Sequence, residues 1–317
     1  MATINEYLTN KFRMMASPLT VAAAALAIAS PAFAQGVYQS PAAALVQASS
    51  TVSEGLSTDP TYVDLVTLAD TSELVVKAKI RRQTALKPER APGLAPGFAR
   101  LYIEAETLAL ISGSAAIGES LVYLVDVPLD AKGKVPKLKK REMLLFANLA
   151  GRAGDGGARG AAQLQLTANQ AQLDYTPELE ARLRPILSDL VAGDVPPVIT
   201  GINDALAVPG TLTGESETQI FLATQDRSPV SLTVLRRPGQ PPVWGVSWGE
   251  IIDSAARAPA RETLRWYRLA CSLPDSLPSS ANLARDPAAR RLAAQDYAMV
   301  RRELGPCNRV ITQTPPV

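Results

Sequence analysis

The 317-residue sequence contains no histidine. This removes the general base that serine and cysteine hydrolases ordinarily use, and the commonest protein ligand of zinc and copper. Cysteine is nearly absent too. Cys271 and Cys307 are the only two, too few for a thiolate metal site and not in the C-x-x-C spacing of a redox pair. Aromatic residues make up 5% of the chain, so any core must rest on Val, Leu, Ile and Ala. No apolar run reaches the roughly 18 residues that suggest a spanning helix. Neither sign of charge dominates: 32 basic residues face 30 acidic ones, a net of +2. That balance argues against bulk electrostatic capture of nucleic acid. D-x-D-x-D-G, Gly-Lys-Ser/Thr and Ser-x-x-Lys patterns are missing as well, and no metal or cofactor is expected.

What is present begins with an export signal. Lys11 and Arg13 precede a short apolar run from Pro18 to Ala29, and Ala32-Phe33-Ala34 supplies a small-x-small cleavage site. Residues 1–34 therefore read as a cleavable signal peptide with Gln35 as the first mature residue. Its removal leaves 283 residues and lowers the net charge from +2 to +1, since Glu6 leaves with the two basic residues. The expected destination is periplasmic or secreted, with no transmembrane segment in the mature chain. The cysteine pair agrees with an oxidising compartment, where a Cys271–Cys307 bridge is expected in preference to two buried thiols. Closing that loop would stabilise the fold by about 4 kcal/mol on the chain-entropy model.

Residues 35–58 are rich in Ala, Ser, Gln and Thr without a steady period and read as a flexible segment. Tyr62, Leu65, Val66 and Ala69 then recur at helical spacing. Strands are expected at 74–80, 101–110, 121–127 and 143–147, with a Pro/Gly-punctuated loop at 87–97 and a Gly-rich loop at 151–160. Leu164, Leu166 and Leu173 flank Asn169 as an expected hairpin. A helix opens at Thr176-Pro177 with Glu178 and Glu180 in its first turn, contains Pro185 as an expected kink, and can stop at Gly193. Asp194 to Pro197 reads as a linker between a module at 59–194 and a second at 198–317. The second module shows strands at 218–224, 230–235 and 243–248, then a short helix bearing Leu264, Tyr267 and Cys271. A final helix runs from N-cap Asp286 through Pro287 to the stop at Gly305-Pro306. The fold class is α+β: a small OB-like β-barrel, then a β-rich module whose C-terminal helices a disulfide would link.

The order of elements carries a resemblance. A short helix, the strand Asp-Thr-Ser-Glu-Leu-Val-Val-Lys-Ala-Lys-Ile, long loops and the late strand Arg-Glu-Met-Leu-Leu-Phe-Ala resemble the OB-like barrels of netrin-like and metalloproteinase-inhibitor modules over residues 62–150. The resemblance implies a barrel shape alone. This module has no cysteine, so the inhibitors' metal-chelating N-terminal cysteine has no counterpart. The whole chain resembles two-part secreted proteins of Gram-negative bacteria.

Three features bear on chemistry. Gly245-Val246-Ser247-Trp248-Gly249 matches the G-x-S-x-G nucleophile elbow and precedes a helical stretch at 250–256. The elbow's serine needs a base, and with no histidine in the chain Ser247 would depend on a carboxylate such as Glu250. A glycine used for turning at a strand end is the favoured reading, and no catalytic residue is nominated. Lys132, Lys134, Lys137, Lys139, Lys140 and Arg141 crowd into ten residues between two strands. They form either a solvated loop tip or a contact for anionic envelope polymers or lipid headgroups. Trp244 and Trp248 would share one face of a strand, about 13 Å apart, as a platform for glycan or peptide or as a buried stripe. The expected function is a non-catalytic binding or assembly role in the cell envelope, with an envelope protein or anionic polymer as partner. A serine hydrolase acting through Ser247 is the alternative. N-terminal sequencing of protein recovered from the envelope fraction should begin at Gln35; an intact Met1 there would sink the export reading.

Overall fold

The computed structural model describes residues 59–150, 161–249 and 256–311. The signal peptide, the segment 35–58, the Gly-rich loop at 151–160 and the helical stretch expected from Glu250 lie outside those residues, except for Ala256 at its end. Chain order begins with helix α1 (Tyr62–Asp70), strand β1 (Leu74–Ala85), a 3-10 turn (Pro88–Arg90), then β2 (Phe98–Ser112), β3 (Ser120–Pro128) and β4 (Glu142–Leu149). β5 (Ala162–Leu166), β6 (Gln172–Asp174) and helix α2 (Pro177–Leu190) complete the first half. β7 (Ile199–Pro209), β8 (Ser216–Thr224), β9 (Val230–Arg236) and β10 (Val243–Ser247) follow, and helices α3 (Leu264–Ala270) and α4 (Pro287–Leu304) come last.

The first five strands close on themselves in the order β1-β2-β3-β5-β4, with β4 returning to β1. The structure is thus α+β with a small closed barrel, as the strand pattern predicts. Closure depends on β1. It pairs with β2 along its length and with β4 from Leu74 to Lys79, and register shifts at Val75/Val76, Lys77/Ala78 and Ile80/Arg82 bend it. Bulges of this kind sharpen local twist and let one strand serve two neighbours. The alternation read from the sequence sends Leu74, Val76, Ala78 and Ile80 inward to meet Leu101, Ile103, Leu121 and Tyr123. Burial raises the Tyr123 hydroxyl well above the ordinary phenol range. The apolar run Met143–Ala147 is buried at every position, so β4 is covered on both faces.

The expected hairpin around Asn169 does not form. β5 pairs with β4 at Leu149–Ala147 and β6 pairs with the same strand at Leu145–Met143, so the two lie end to end along β4. The intervening turn stays tied to that strand: Thr167 N–H donates to the Phe146 carbonyl, and Phe146 N–H to that of Ala171. β5 also runs parallel to β3, a contact between distant segments that local pattern cannot announce.

The helix signals in the sequence mark real ends. Thr61 and Asp64 form a capping box at α1, Thr176 caps α2 and Asp286 caps α4. α2 continues through Pro185 and ends at Leu190 with Val191 as its C-cap, two residues before Gly193. The second sheet is a meander in the order β10-β9-β8-β7. β7 escapes sequence patterning because Gly201 and Asn203-Asp204 fall at two register shifts that break its alternation. α4 lies on β7 and β8, with Ala293, Tyr297, Val300 and Leu304 buried. Asp296 is fully buried and accepts hydrogen bonds from Thr218 on β8 and Arg236 on β9. Tyr297 donates to the Pro274 carbonyl, and desolvation by burial pushes its hydroxyl up to about 12.

Barrel and second sheet belong to one compact unit, and helices α1, α2 and α3 pack on one another. Arg268 on α3 is the tie. Its guanidinium meets both oxygens of Asp70 at the end of α1, at 2.5 and 2.9 Å, and its Nε donates to the Pro196 carbonyl. The expected disulfide is present: Cys271 caps α3 and bonds to Cys307 just beyond α4, across 36 residues. Because Arg268 is buried, removing its carboxylate partner strands a charge. Asp70→Ala should cost about 3–5 kcal/mol, measured by urea unfolding. The Asp70→Ala/Arg268→Ala double variant should cost clearly less than the sum of the singles; additive losses would show that the pair is not coupled.

Candidate functional site

The six basic residues picked out in the sequence lie on the connection between β3 and β4, and three local devices fix its path. At the tip, Gly133 N–H donates to the Asp130 carbonyl at 2.8 Å, and the Asp130 carboxylate accepts from the amides of Lys132 and Lys134. Gly133 sits at φ +70°, a conformation that glycine adopts without strain. On the return, Gln83 of β1 acts as a clamp. Its Nε2 donates to the Pro136 carbonyl, and its Oε1 accepts from the amides of Leu138 and Lys139. Leu138 is buried as a plug, and Lys140, at φ +76°, donates its amide to the Ile80 carbonyl.

All six basic side chains are exposed, yet they are not equivalent. Arg141 pairs with Asp174 on β6. Lys132, Lys134, Lys137, Lys139 and Lys140 form no ion pair with any described residue. Five unneutralised ammonium groups on a fixed loop make a local positive potential that the near-neutral whole conceals. Nearby Lys77 is different: burial works to lower its pKa, but hydrogen bonds to Glu142 and Tyr175 outweigh that and raise it.

The loop adjoins an apolar strip. Phe98 is the register partner of Pro128, and Tyr102 that of Leu124, on the outer face of β2 and β3. Phe98, Tyr102 and Leu124 are 37, 37 and 43% exposed. Between these pairs, Arg100 and Asp126 form a buried two-pronged ion pair at 2.7 and 2.8 Å, and Arg100 also donates to the Pro92 carbonyl. That pair is internally satisfied and holds the loop before Phe98 against the strip.

The two tryptophans do not make a matched platform. Trp244 is buried, and its indole N–H donates to Glu303 of α4 at 2.6 Å; Trp248 is half-buried and packs against the core. Ser247 is the last residue of β10, register partner of Ser231, and is not among the positive-φ residues. A nucleophile elbow needs a strained strand-to-helix turn at the serine, which β10 does not provide there. Gly245 has a separate purpose. A Cβ at that position would stand 2.1 Å from the Ala256 carbonyl oxygen, and Val246 N–H donates to the Arg257 carbonyl. The glycine admits a returning backbone onto the strand. Among the described residues, no three Cys, Asp or Glu side chains cluster closely enough to hold a metal ion.

Sequence reading missed a cleft of about 360 Å³ at the β8–β9 turn, lined by Asn203, Phe221, Arg227, Ser228 and Ser231 among others. Its one sequence signal is Asp226-Arg227-Ser228-Pro229, an ordinary turn string. No protein-family model matches the chain, and no curated protein matches it closely enough to count as a relative. Gly245→Ala should lower stability by about 1–3 kcal/mol as the crossing backbone is displaced. Gly249→Ala, with open space around its Cβ position, should change the thermal midpoint little. Equal losses at both glycines would contradict the backbone-crossing role.

Proposed function

We propose that the chain is an exported, non-catalytic binding or assembly protein of the cell envelope, and that the β3–β4 loop is its contact for an anionic polymer. The observation that carries this reading is the set of five lysines without ion-pair partners among the described residues, on a loop held by Gln83, Leu138 and Asp130. A loop held in this way loses little conformational freedom when it binds. The strip of Phe98, Tyr102 and Leu124 beside it supplies apolar contact, on the β2–β3 face that OB-type barrels commonly offer to ligands. That parallel is one of fold only. Export is supported by the signal-like N-terminus and by the Cys271–Cys307 disulfide; no helix among the described residues is long and apolar enough to cross a membrane.

Each lysine near an anionic surface contributes about 1 kcal/mol at modest ionic strength. Lys137→Gln, Lys139→Gln and Lys140→Asn together should therefore weaken retention on anionic envelope material on the order of 100-fold at low salt. The difference should shrink as salt rises. Asparagine is chosen at 140 because it tolerates the left-handed backbone found there. Retention by the triple variant equal to that of the parent would remove the proposal.

A further inference from the structure

The cleft at the β8–β9 turn lies on the side of the second sheet away from α4. Thr218 and Ile220 are buried toward that helix, so Phe221, next along β8, points the other way. A volume of about 360 Å³ falls at the small end of ligand pockets, roughly 300–1,000 Å³. Four observations on its lining converge. The Ser231 hydroxyl is buried without a hydrogen-bond partner, which native structures seldom leave unexplained. Arg227 holds φ +65° in a turn where glycine or asparagine would be unstrained, and its exposed guanidinium has no ion pair among the described residues. A non-glycine residue kept in that region is a reason to ask what its side chain does. Phe221, register partner of Ser231, is 40% exposed. Asn203 is the extra residue of a β-bulge between Ile202 and Asp204, and its amide makes only a 3.5 Å contact to the Leu222 carbonyl.

The surrounding charges narrow the ligand. One guanidinium matches one carboxylate. Asp226 accepts the Ser228 amide at 3.0 Å, and backbone hydrogen bonding there keeps its carboxyl below the usual range. Exposed Asp204, register partner of Phe221, adds a second negative charge. Neither acid is among the residues that line the cleft, and their negative charge beside it disfavours phosphates and other multiply charged anions. An aromatic face beside hydroxyl and amide groups suits the C–H surface and hydroxyls of a sugar ring. We infer that this cleft binds a hydroxyl-rich monoanion of single-ring size, a hexuronate or related sugar acid. Arg227 would hold the carboxylate, Ser231 and Asn203 the ring hydroxyls, and Phe221 the ring face.

Calorimetric titration of the mature protein with D-glucuronate, D-glucose and inorganic phosphate tests the assignment. Glucuronate should bind saturably, at least about 10-fold more tightly than glucose, as loss of one charge-assisted pair implies, and phosphate should not saturate. Arg227→Gly should weaken glucuronate binding by at least about 10-fold while raising the thermal midpoint, because glycine relieves the turn. Ser231→Ala should weaken binding without lowering the midpoint. Substitutions in the β3–β4 loop should leave the titration unchanged, which separates this site from the polymer contact. The assignment is overturned if glucuronate does not saturate, if glucose or phosphate binds as tightly, or if Arg227→Gly leaves the affinity intact.

Discussion

The buried guanidinium of Arg268 is the contact on which the joining of the two sheets depends. It reaches from α3 to Asp70 at the end of α1 and to the Pro196 carbonyl in the connection between barrel and second sheet. A fixed, planar fork of donors is suited to three acceptors from two segments. Neighbouring contacts support the same junction: Tyr62 packs on Trp266 with ring centroids 6.4 Å apart, and the hydroxyls of Thr67 and Tyr267 lie 3.0 Å apart. A connection that reads as a Pro-containing linker is in this way held on α3 by a side chain some seventy residues downstream.

The same device recurs where aromatic mass is scarce. Asp64 and Asp296 are fully buried. Each gathers donors from separate segments: Asp64 from Thr61, Val310 and Ile311, and Asp296 from Thr218 and Arg236. Arg100 and Asp126 do so within the barrel wall. Aliphatic burial supplies most of the driving force, while these satisfied polar groups fix which element lies against which. That specificity comes at a cost, because a buried charge is tolerable only while every partner remains.

Much of the fold is written locally in the sequence. Thr176-Pro177, Asp286-Pro287 and Gly305 mark helix ends through backbone groups that need partners at those positions, and the alternation at 74–80 states which side faces inward. The disulfide follows from a count of two. What stays hidden depends on distance in the chain. β7 is obscured where its bulges interrupt alternation, and the end-to-end arrangement of β5 and β6 follows from a shared partner, β4. The role of Gly245 depends on where residues 256 and 257 return. For the candidate site, the lysine cluster is plain in the sequence. The Gln83 clamp that organises it is not, because Gln83 precedes Leu138 by 55 residues. The cleft draws on 203, 221, 227 and 231, residue types common in any turn-and-strand region, and becomes visible only when bulge, turn and register are superposed.

One of these buried carboxylates bears on the order of events during folding. Asp64 belongs to the first described helix, yet two of its donors are the amides of Val310 and Ile311, separated from it by 246 and 247 residues. A chain made from its N-terminus completes the lining of that pocket only once the residues 246 and 247 positions further on are available. Contacts of such sequence separation carry a high loop-closure cost and slow folding. Without Val310 and Ile311 in place, the Asp64 carboxylate would lack two of its amide donors. The cap of the first described helix is thereby coupled to the docking of a segment nearly 250 residues away.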